Sequence, residues 1–515
     1  MRGYACGAPA DGLVTLVVMR LRFLLPLLLP VLLAGQSLQE FQKKVTEFTL
    51  ANGLHFIVIE RHEAPVVSFH TYVNVGSVDD PSGETGIAHM FEHMAFKGTQ
   101  TIGTKNWPEE KKALDAIEQV YDRLDEERRK GLRADPKKVE AMQAEVKEAI
   151  AKADSFVEPN EFDRIVESSG GVGMNASTAE DATNYFYSFP SNRLELWFLL
   201  ESERFAQPVF REFYKERDVV REERRMRVES NPQGKLLEAL LATAFEAHPY
   251  RVMPGGWASD IDDFRRTEAE RFYKIYYTPG NMTIGIAGDV NPAEAKRLAE
   301  KYFARLPRRP LPPLVRTVEP PQEGEKRVAV ASPAQPFLAV AYKRPDQYSR
   351  DDAVLDVLSD ILSGGRTGIM YREMVRDKKI ALAAESGATF PSGKYPSLFI
   401  FFVVPSSGHS IEENEKVVYD IIERVKKEKV DEAALERVKT KLRADVIRRL
   451  DSNSGLASEL CTYSANFGDW KKLFTELDDY NRITAEDVQR VAKAYLTPST
   501  RTVAYTYVPS EGGAK

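Results

Sequence analysis

Histidine and cysteine are both scarce in this 515-residue chain, with seven of the first and two of the second. Cys6 precedes the cleavage point expected below, so mature protein keeps only Cys461. That excludes an intramolecular disulfide, and a chain this long needs none to hold its core. Basic charge is not in surplus: 71 Lys and Arg stand against 77 Asp and Glu, a net charge of −6. Nucleic acid is therefore not an implied partner. The apolar and charged shares, 43% and 29%, are those of an ordinary soluble globular protein. The length suggests about two to four domains.

The N-terminus reads as a secretory signal over residues 19–37. Met19-Arg20-Leu21-Arg22 is a short basic start, Phe23 to Leu33 an apolar run, and Ala34-Gly35-Gln36-Ser37 supplies small residues for cleavage. Residues 1–18 read as an upstream extension, Met19 being the better start. The apolar run is short for a membrane span and holds Pro26 and Pro30, so the mature form is expected to lack a stable span. The alternative is an uncleaved N-terminal anchor.

Two of the seven histidines fall in one stretch, Gly86-Ile87-Ala88-His89-Met90-Phe91-Glu92-His93-Met94, which contains H-x-x-E-H. On a helix, His89 and His93 leave the same face and can share one Zn²⁺. Glu92 lies close to that face, where a carboxylate can take a proton from a water polarised by the metal. A catalytic zinc wants a third protein ligand. The expected source is a helix from Tyr214 to Val228, whose apolar residues Val219, Val220 and Met226 mark one face. Glu223 and Glu216 fall within that face and Glu222 to one side. A carboxylate on a buried face needs a partner. Glu223 is assigned to the metal, Glu216 to a supporting place beside a ligand, and Glu222 is the alternative to Glu223.

Elsewhere the pattern alternates strands and helices. Phe48-Thr49-Leu50 and Leu54 to Ile59 flank Asn52-Gly53 as a hairpin. Strands are expected at Val66 to Val75 and Tyr185 to Phe189, helices at Phe162 to Ser169 and Leu194 to Arg204, and a Gly-rich turn at Gly170 to Gly173 leads into a further strand. Between about 108 and 156, Leu114, Ile117, Tyr121 and Leu124, then Val139, Met142, Val146 and Ile150, recur at helical spacing among charges. These predict a charged helical hairpin, either an arm for a partner or substrate or a solvated insertion. The Pro-rich stretch 306–325 reads as a linker. It divides an N-terminal domain, 38–305, from a C-terminal one, 326–510. Lys274-Ile275-Tyr276-Tyr277-Thr278-Pro279 and Lys493-Ala494-Tyr495-Leu496-Thr497-Pro498 repeat K-x-Y-x-T-P, which points to duplication. In the second half, helices are expected at 351–363, 411–428 and 432–450 and strands at 327–342 and 397–404. The fold class is thus α+β: two homologous domains, each a mostly antiparallel sheet packed with helices, plus the inserted hairpin.

His89 to His93 with Met94-Ala95-Phe96-Lys97-Gly98-Thr99 resembles the pitrilysin/insulinase zinc peptidases, especially the shorter bacterial and mitochondrial-processing type. Asn175-Ala176-Ser177-Thr178, Glu216-Arg217-Asp218-Val219-Val220 with Glu222-Glu223, and Tyr277-Thr278-Pro279-Gly280-Asn281 with Gly288-Asp289 extend the likeness. It implies one Zn²⁺ per chain at His89, His93 and Glu223, with Glu92 as general base. It also implies a substrate added as a β-strand near Asn175 and Ala176. The 130 residues from His93 to Glu223 exceed the family's usual spacing, and the hairpin accounts for most of the excess. The family often supplies an Arg and a Tyr to the substrate from its second domain. Those positions fall on Ile369 and Leu382, both apolar, and Arg366 stands at the wrong offset. The expectation is a secreted or periplasmic zinc endopeptidase for peptides or unfolded segments. It would pair with a related metal-free subunit that supplies Arg and Tyr, or with itself. The competing expectations are a non-catalytic scaffold subunit and a protein that captures peptides without cleaving them.

Overall fold

The computed structural model describes residues 41–333 and 335–509; the expected signal peptide lies outside them. Among the described residues no helix is long and apolar enough to cross a membrane.

From Lys44 onward the first half runs β1 (Val45–Thr49), β2 (His55–Glu60), β3 (Val66–Val73), α1 (Ile87–Met94), α2 (Trp107–Arg128), α3 (Pro136–Asp154), α4 (Glu161–Ser168), β4 (Val172–Thr178), β5 (Thr183–Pro190), α5 (Leu194–Ala206), α6 (Phe213–Arg224), α7 (Pro232–Ala244), α8 (Ala258–Asp263), α9 (Arg266–Tyr276), β6 (Met282–Gly288) and α10 (Pro292–Phe303). Residues 307–323 carry neither helix nor strand. The second half runs β7 (Lys326–Ala331), β8 (Leu338–Arg344), α11 (Asp352–Ser363), β9 (Ala381–Phe390), β10 (Ser397–Pro405), α12 (Ile411–Lys427), α13 (Glu432–Arg449), α14 (Asn453–Phe467), α15 (Lys472–Arg482), α16 (Ala485–Tyr495) and β11 (Arg501–Tyr507).

The two sheets have the same topology. The first is ordered β1-β2-β6-β3-β5-β4 and the second β7-β11-β8-β10-β9. Without β1 they superpose in connectivity: one parallel pair, β2 with β6 and β7 with β11, begins a run of antiparallel neighbours. The repeat seen in the sequence extends to whole elements. α9, the turn Pro279–Asn281 and β6 recur as α16, the turn Pro498–Thr500 and β11, every boundary 219 residues later.

Both faces of each sheet are buried, which explains the unbroken apolar runs. Phe56, Val58, Phe69, Ile284 and Ile286 face the first core, among the hairpin, α5 and α10. Val340, Tyr342, Phe399, Phe401 and Val403 face the second. The opposite faces carry small residues and each receives a helix from the other half. Leu236, Leu240, Leu241 and Ala244 of α7 pack with Ala339, Ala341 and Ala504 of the second sheet. On the first sheet, α14 lies so close that a Cβ at Gly285 would stand 2.5 Å from the Ala457 carbonyl and 2.8 Å from Cys461 Sγ. Tyr72 donates to Asn466 from the same face. The halves are thus clasped through exchanged helices as well as joined by the linker. The linker is itself pinned where Glu319 accepts from the Glu246, Ala247 and His248 amides.

Several element bounds differ from expectation. The first strand starts at Val45, because pairing with β2 continues to Ile59. The run expected at 327–342 is two strands, broken at Ser332 and Pro333, so that β7 pairs parallel to β11 and β8 antiparallel to it.

Gly285→Val is expected to force α14 off the first sheet and lower stability in urea by about 2 kcal/mol, in the range of core overpacking. Gly324→Val meets nothing within 4 Å and serves as the neutral control. Equal unfolding midpoints would refute the clasp.

Candidate metal centre and cleft

α1 is fixed at both ends and along one side. At its start Gly86 adopts φ 95°, which favours glycine. The Asp80 carboxylate there accepts from the Gly86 and Ala88 amides at 2.7 and 3.0 Å, satisfying donors that a helix N-terminus leaves open. Ile87, Ala88, Met90, Phe91 and Met94 are buried, with the Phe91 ring 4.0 Å from that of Tyr277 and 5.6 Å from those of Phe210 and Tyr273. His89, Glu92 and His93 are left on the other face.

That face meets α6 and β4. Glu223 Oε2 lies 3.7 Å from His89 Nε2 and 3.4 Å from His93 Nε2. One ligand atom from each of His89, His93 and Glu223 falls within 4.8 Å of the others, the one such group of three among the described residues. Two imidazoles and a carboxylate suit Zn²⁺. The remaining atoms of these side chains are mostly held from outside. His93 Nδ1 is 3.4 Å from Glu216 Oε2, whose other oxygen meets Lys97 Nζ. Glu223 Oε1 meets Arg227 Nη2 at 2.7 Å. His89 Nδ1 is buried without a hydrogen-bond partner.

The electrostatics match a cation-binding pocket. Burial, and then the neighbouring His93, depress His89 to about 4, so it is neutral. Burial opposes charge on His93, but Glu216 and Glu223 outweigh it and hold the ring up at about 9. The bond to His93 holds Glu223 down at about 2; Glu216 is also held at about 2, its burial being overcome by His93 and Lys97. Burial raises Glu92 despite the Thr178 hydroxyl beside it.

The expectation for α6 is corrected in part. Its buried residues are Phe213, Tyr214, Val220 and Arg224, whereas Val219 and Met226 are 46% and 57% exposed. Glu216 and Glu223 still turn inward, because they lie between Val220 and those exposed flanks. Glu222 points to solvent and pairs with Arg225. Regular helix ends at Arg224, and Arg225–Glu229 form a wider π-type turn. Asn175 and Ala176 stand on β4, one of the two edge strands of the sheet. With Ser177 and Thr178 they line one cleft of about 620 Å³ together with His89, Glu92, His93, Glu223, Arg227 and Met253–Gly255. In the second half, Ile369 packs against the core, while Leu382 on β9 is 62% exposed.

The hairpin contributes residues that the sequence reading passed over. α2 is built into the back of the site. Glu110 bonds Arg211 at 2.7 Å with both side chains buried, and Glu118 accepts from Tyr214 on α6 at 2.7 Å. Tyr121 stacks on Tyr214 at 4.5 Å. Glu110 and Glu118 lie one turn either side of Leu114 on the apolar stripe. The argument used for Glu223, a carboxylate on a buried face, was available for them too. Removing the anion in Glu110→Ala is expected to cost about 3–5 kcal/mol, because it leaves the buried Arg211 charge without its carboxylate. An unchanged urea midpoint would show α2 to be a dispensable surface arm.

Comparison with known proteins gives matches along most of the chain. Residues 56–121 and 137–252 match the family described as insulinase (peptidase family M16), and residues 263–442 match the peptidase M16 inactive domain. The Helicobacter pylori zinc protease PqqE is 28% identical over 501 residues, 95% of this chain and 98% of that protein. The crystal structure of a protease from Helicobacter pylori matches with a TM-score of 0.76 at 27% identity, covering 90% of this chain and 99% of that one. The periplasmic protease PqqL from Escherichia coli shares the fold, with a TM-score of 0.66 at 16% identity over 91% of this chain and 48% of its own. The HxxEH helix, the duplicated α+β architecture and these matches together place the chain in the peptidase M16 (insulinase) family of zinc proteases.

Proposed function

We propose that this chain is a zinc-dependent endopeptidase acting on peptides or unfolded segments, with His89, His93 and Glu223 holding the metal. The observation that carries the reading is the meeting of these three side chains beside Glu92 in a cleft walled by an edge strand. Bound zinc supplies a Lewis acid that acidifies water and stabilises negative charge on a carbonyl oxygen. Glu92, its basicity raised by burial, takes the proton of the attacking water and returns it to the departing amine. Glu216 and Lys97 hold the His93 ring from behind. The peptide adds to β4 at Asn175 and Ala176. In support, the Ala176 amide now donates to the Asn175 side chain at 2.9 Å, a donor an added strand could claim.

The cation and phenol that family members often bring to the substrate have no counterpart at Ile369 or Leu382. A related, metal-free subunit supplying them is therefore part of the proposal, with a homodimer as the simpler form. Secretion or a periplasmic site is part of the proposal, supported by the signal-like N-terminal sequence and by the periplasmic PqqL. The same gap, with the match to an inactive domain, also favours a second reading as a scaffold subunit.

The test is cleavage of a quenched, unstructured peptide by mature protein, with zinc content measured alongside, both alone and with a related co-purifying chain. Glu92→Gln is expected to keep zinc and lose activity by roughly 10²–10⁴-fold, the usual contribution of a general base. Zinc bound without cleavage in any pairing would favour the scaffold.

A further inference from the structure

Three cationic side chains line the cleft, and two of them are already committed. Lys97 is 18% exposed and held by Glu212 and Glu216. Arg224 is 5% exposed and held by Glu238 at 2.8 Å, with Glu229 beside it. Arg227 differs: its side chain is 73% exposed, and among the described residues its one ion pair is with Glu223 Oε1. Glu223 is also the carboxylate that turns its other oxygen to both imidazoles. A dication held there would draw on the same negative charge that now balances Arg227. With His89 and His93 neutral as ligands, the positive charge of cation and guanidinium exceeds the negative charge of Glu223 and Glu92 by one unit. Glu212 and Glu216, with Lys97 between them, add one negative charge behind His93, which leaves Arg227 as the exposed positive group on the cleft side.

The backbone beneath this arginine is closely packed, while its side chain stays exposed beside the Glu223 contact. Arg227 lies in the wider turn after α6. The start of α7 presses on it so closely that a Cβ at Gly234 would stand 2.1 Å from the Arg227 carbonyl. The turn therefore presents a guanidinium from a rigid base into solvent, across the cleft from β4. Side chains of a strand added to β4 alternate in direction, so one near the scissile bond would point toward the α6 wall. A guanidinium binds a carboxylate through two parallel hydrogen bonds, with geometric as well as electrostatic preference.

We propose that Arg227 is a specificity determinant that selects an acidic side chain beside the scissile bond, so that the preferred substrates are acidic peptides. This rests on the peptidase reading for its site, but it is tested by binding. Zinc-loaded mature Glu92→Gln protein is titrated with labelled peptides, acetylated and amidated at their ends and identical except for Glu or Gln at one scanned position. At the best position the Glu peptide is expected to bind roughly tenfold tighter, as a hydrogen bond to a charged group allows. The advantage should shrink as salt is raised. It should vanish when Arg227→Gln is added, persist in part with Arg227→Lys, and turn into a preference for Lys over Gln with Arg227→Glu. Zinc content is measured for each variant. The absence of a Glu preference at every position, or the same preference in Arg227→Gln, would overturn the proposal. So would loss of zinc in Arg227→Gln with the Glu:Gln ratio unchanged, which would make the arginine a support for Glu223 alone. If wild type cleaves no peptide but the preference tracks Arg227, the peptidase reading falls and this inference stands. Cleavage with no preference has the opposite meaning.

Discussion

The Arg211 guanidinium, closed off from water, donates to Glu110 on α2 and to the backbone carbonyls of Lys97, Thr99 and Ile102. Those carbonyls belong to the loop that follows α1, and Arg211 itself lies two residues before α6. One charged side chain therefore ties together the end of the HxxEH helix, the start of the helix bearing Glu223, and the hairpin. The arrangement also explains the glycines of that loop. A Cβ at Gly98 or Gly103 would stand 2.8 or 2.7 Å from Arg211 Nη1. From Lys97, held in place by this contact, the bonding continues to Glu216 and on to His93. A burial this expensive is tolerated only where the charge is fully paired, and its return is a fixed distance between two helices from distant parts of the chain.

Electrostatics then follow from the packing. The hydrophobic backing of α1 buries His89 deeply enough to keep it neutral at ordinary pH. His93 lies against two carboxylates that retain a proton on it in the absence of any other cation. The pocket is thus built for positive charge, with carboxylates depressed and one imidazole already in its ligand form. Glu92, on the same helix but turned toward β4, is shifted the other way. Two carboxylates on one wall are pushed apart in basicity by their surroundings, the usual sign that they have different tasks.

Sequence reading reached those parts of the site that are local and stopped where tertiary contacts decide. His89, Glu92 and His93 were legible because four-residue spacing on a helix needs no knowledge of the fold. Glu223 was legible through helical phase, although two of the three residues used to mark the buried face, Val219 and Met226, are exposed. The phase survived the error because Glu216 and Glu223 lie between Val220 and the flanks. Glu110 and Glu118 were legible by the same helical phase, on the apolar stripe of Leu114, whereas Arg211 lies outside any helix and shows its role only through tertiary contacts. β9 was missed because Ala-Leu-Ala-Ala-Glu-Ser-Gly has little strand propensity of its own; it is a strand through its pairing with β10. The exchange of α7 and α14 between the sheets was illegible in principle, since it is a choice of partner between two similar faces.

The duplication sharpens what is special about the first half. In the second sheet, β9 occupies the position of β4, and α11 and α13 follow the places of α1 and α6. There Lys441 pairs with Asp360, from α13 to α11, beside Ser359, Ser363 and Ser386. In the second half the corresponding two helices are thus joined by an ion pair. The framework of an edge strand crossed by two helices recurs with a different set of side chains. Under the proposed reading, metal binding in the first half would come from side chains added to a shared framework, and the hairpin, for which the described second half has no equivalent, is the buttress that accompanies them. An edge strand without a catalytic neighbour remains at β9, with Leu382 exposed upon it. Among the described residues, β4 and β9 are equivalent sheet edges, and the one cluster of three candidate metal donors stands beside β4.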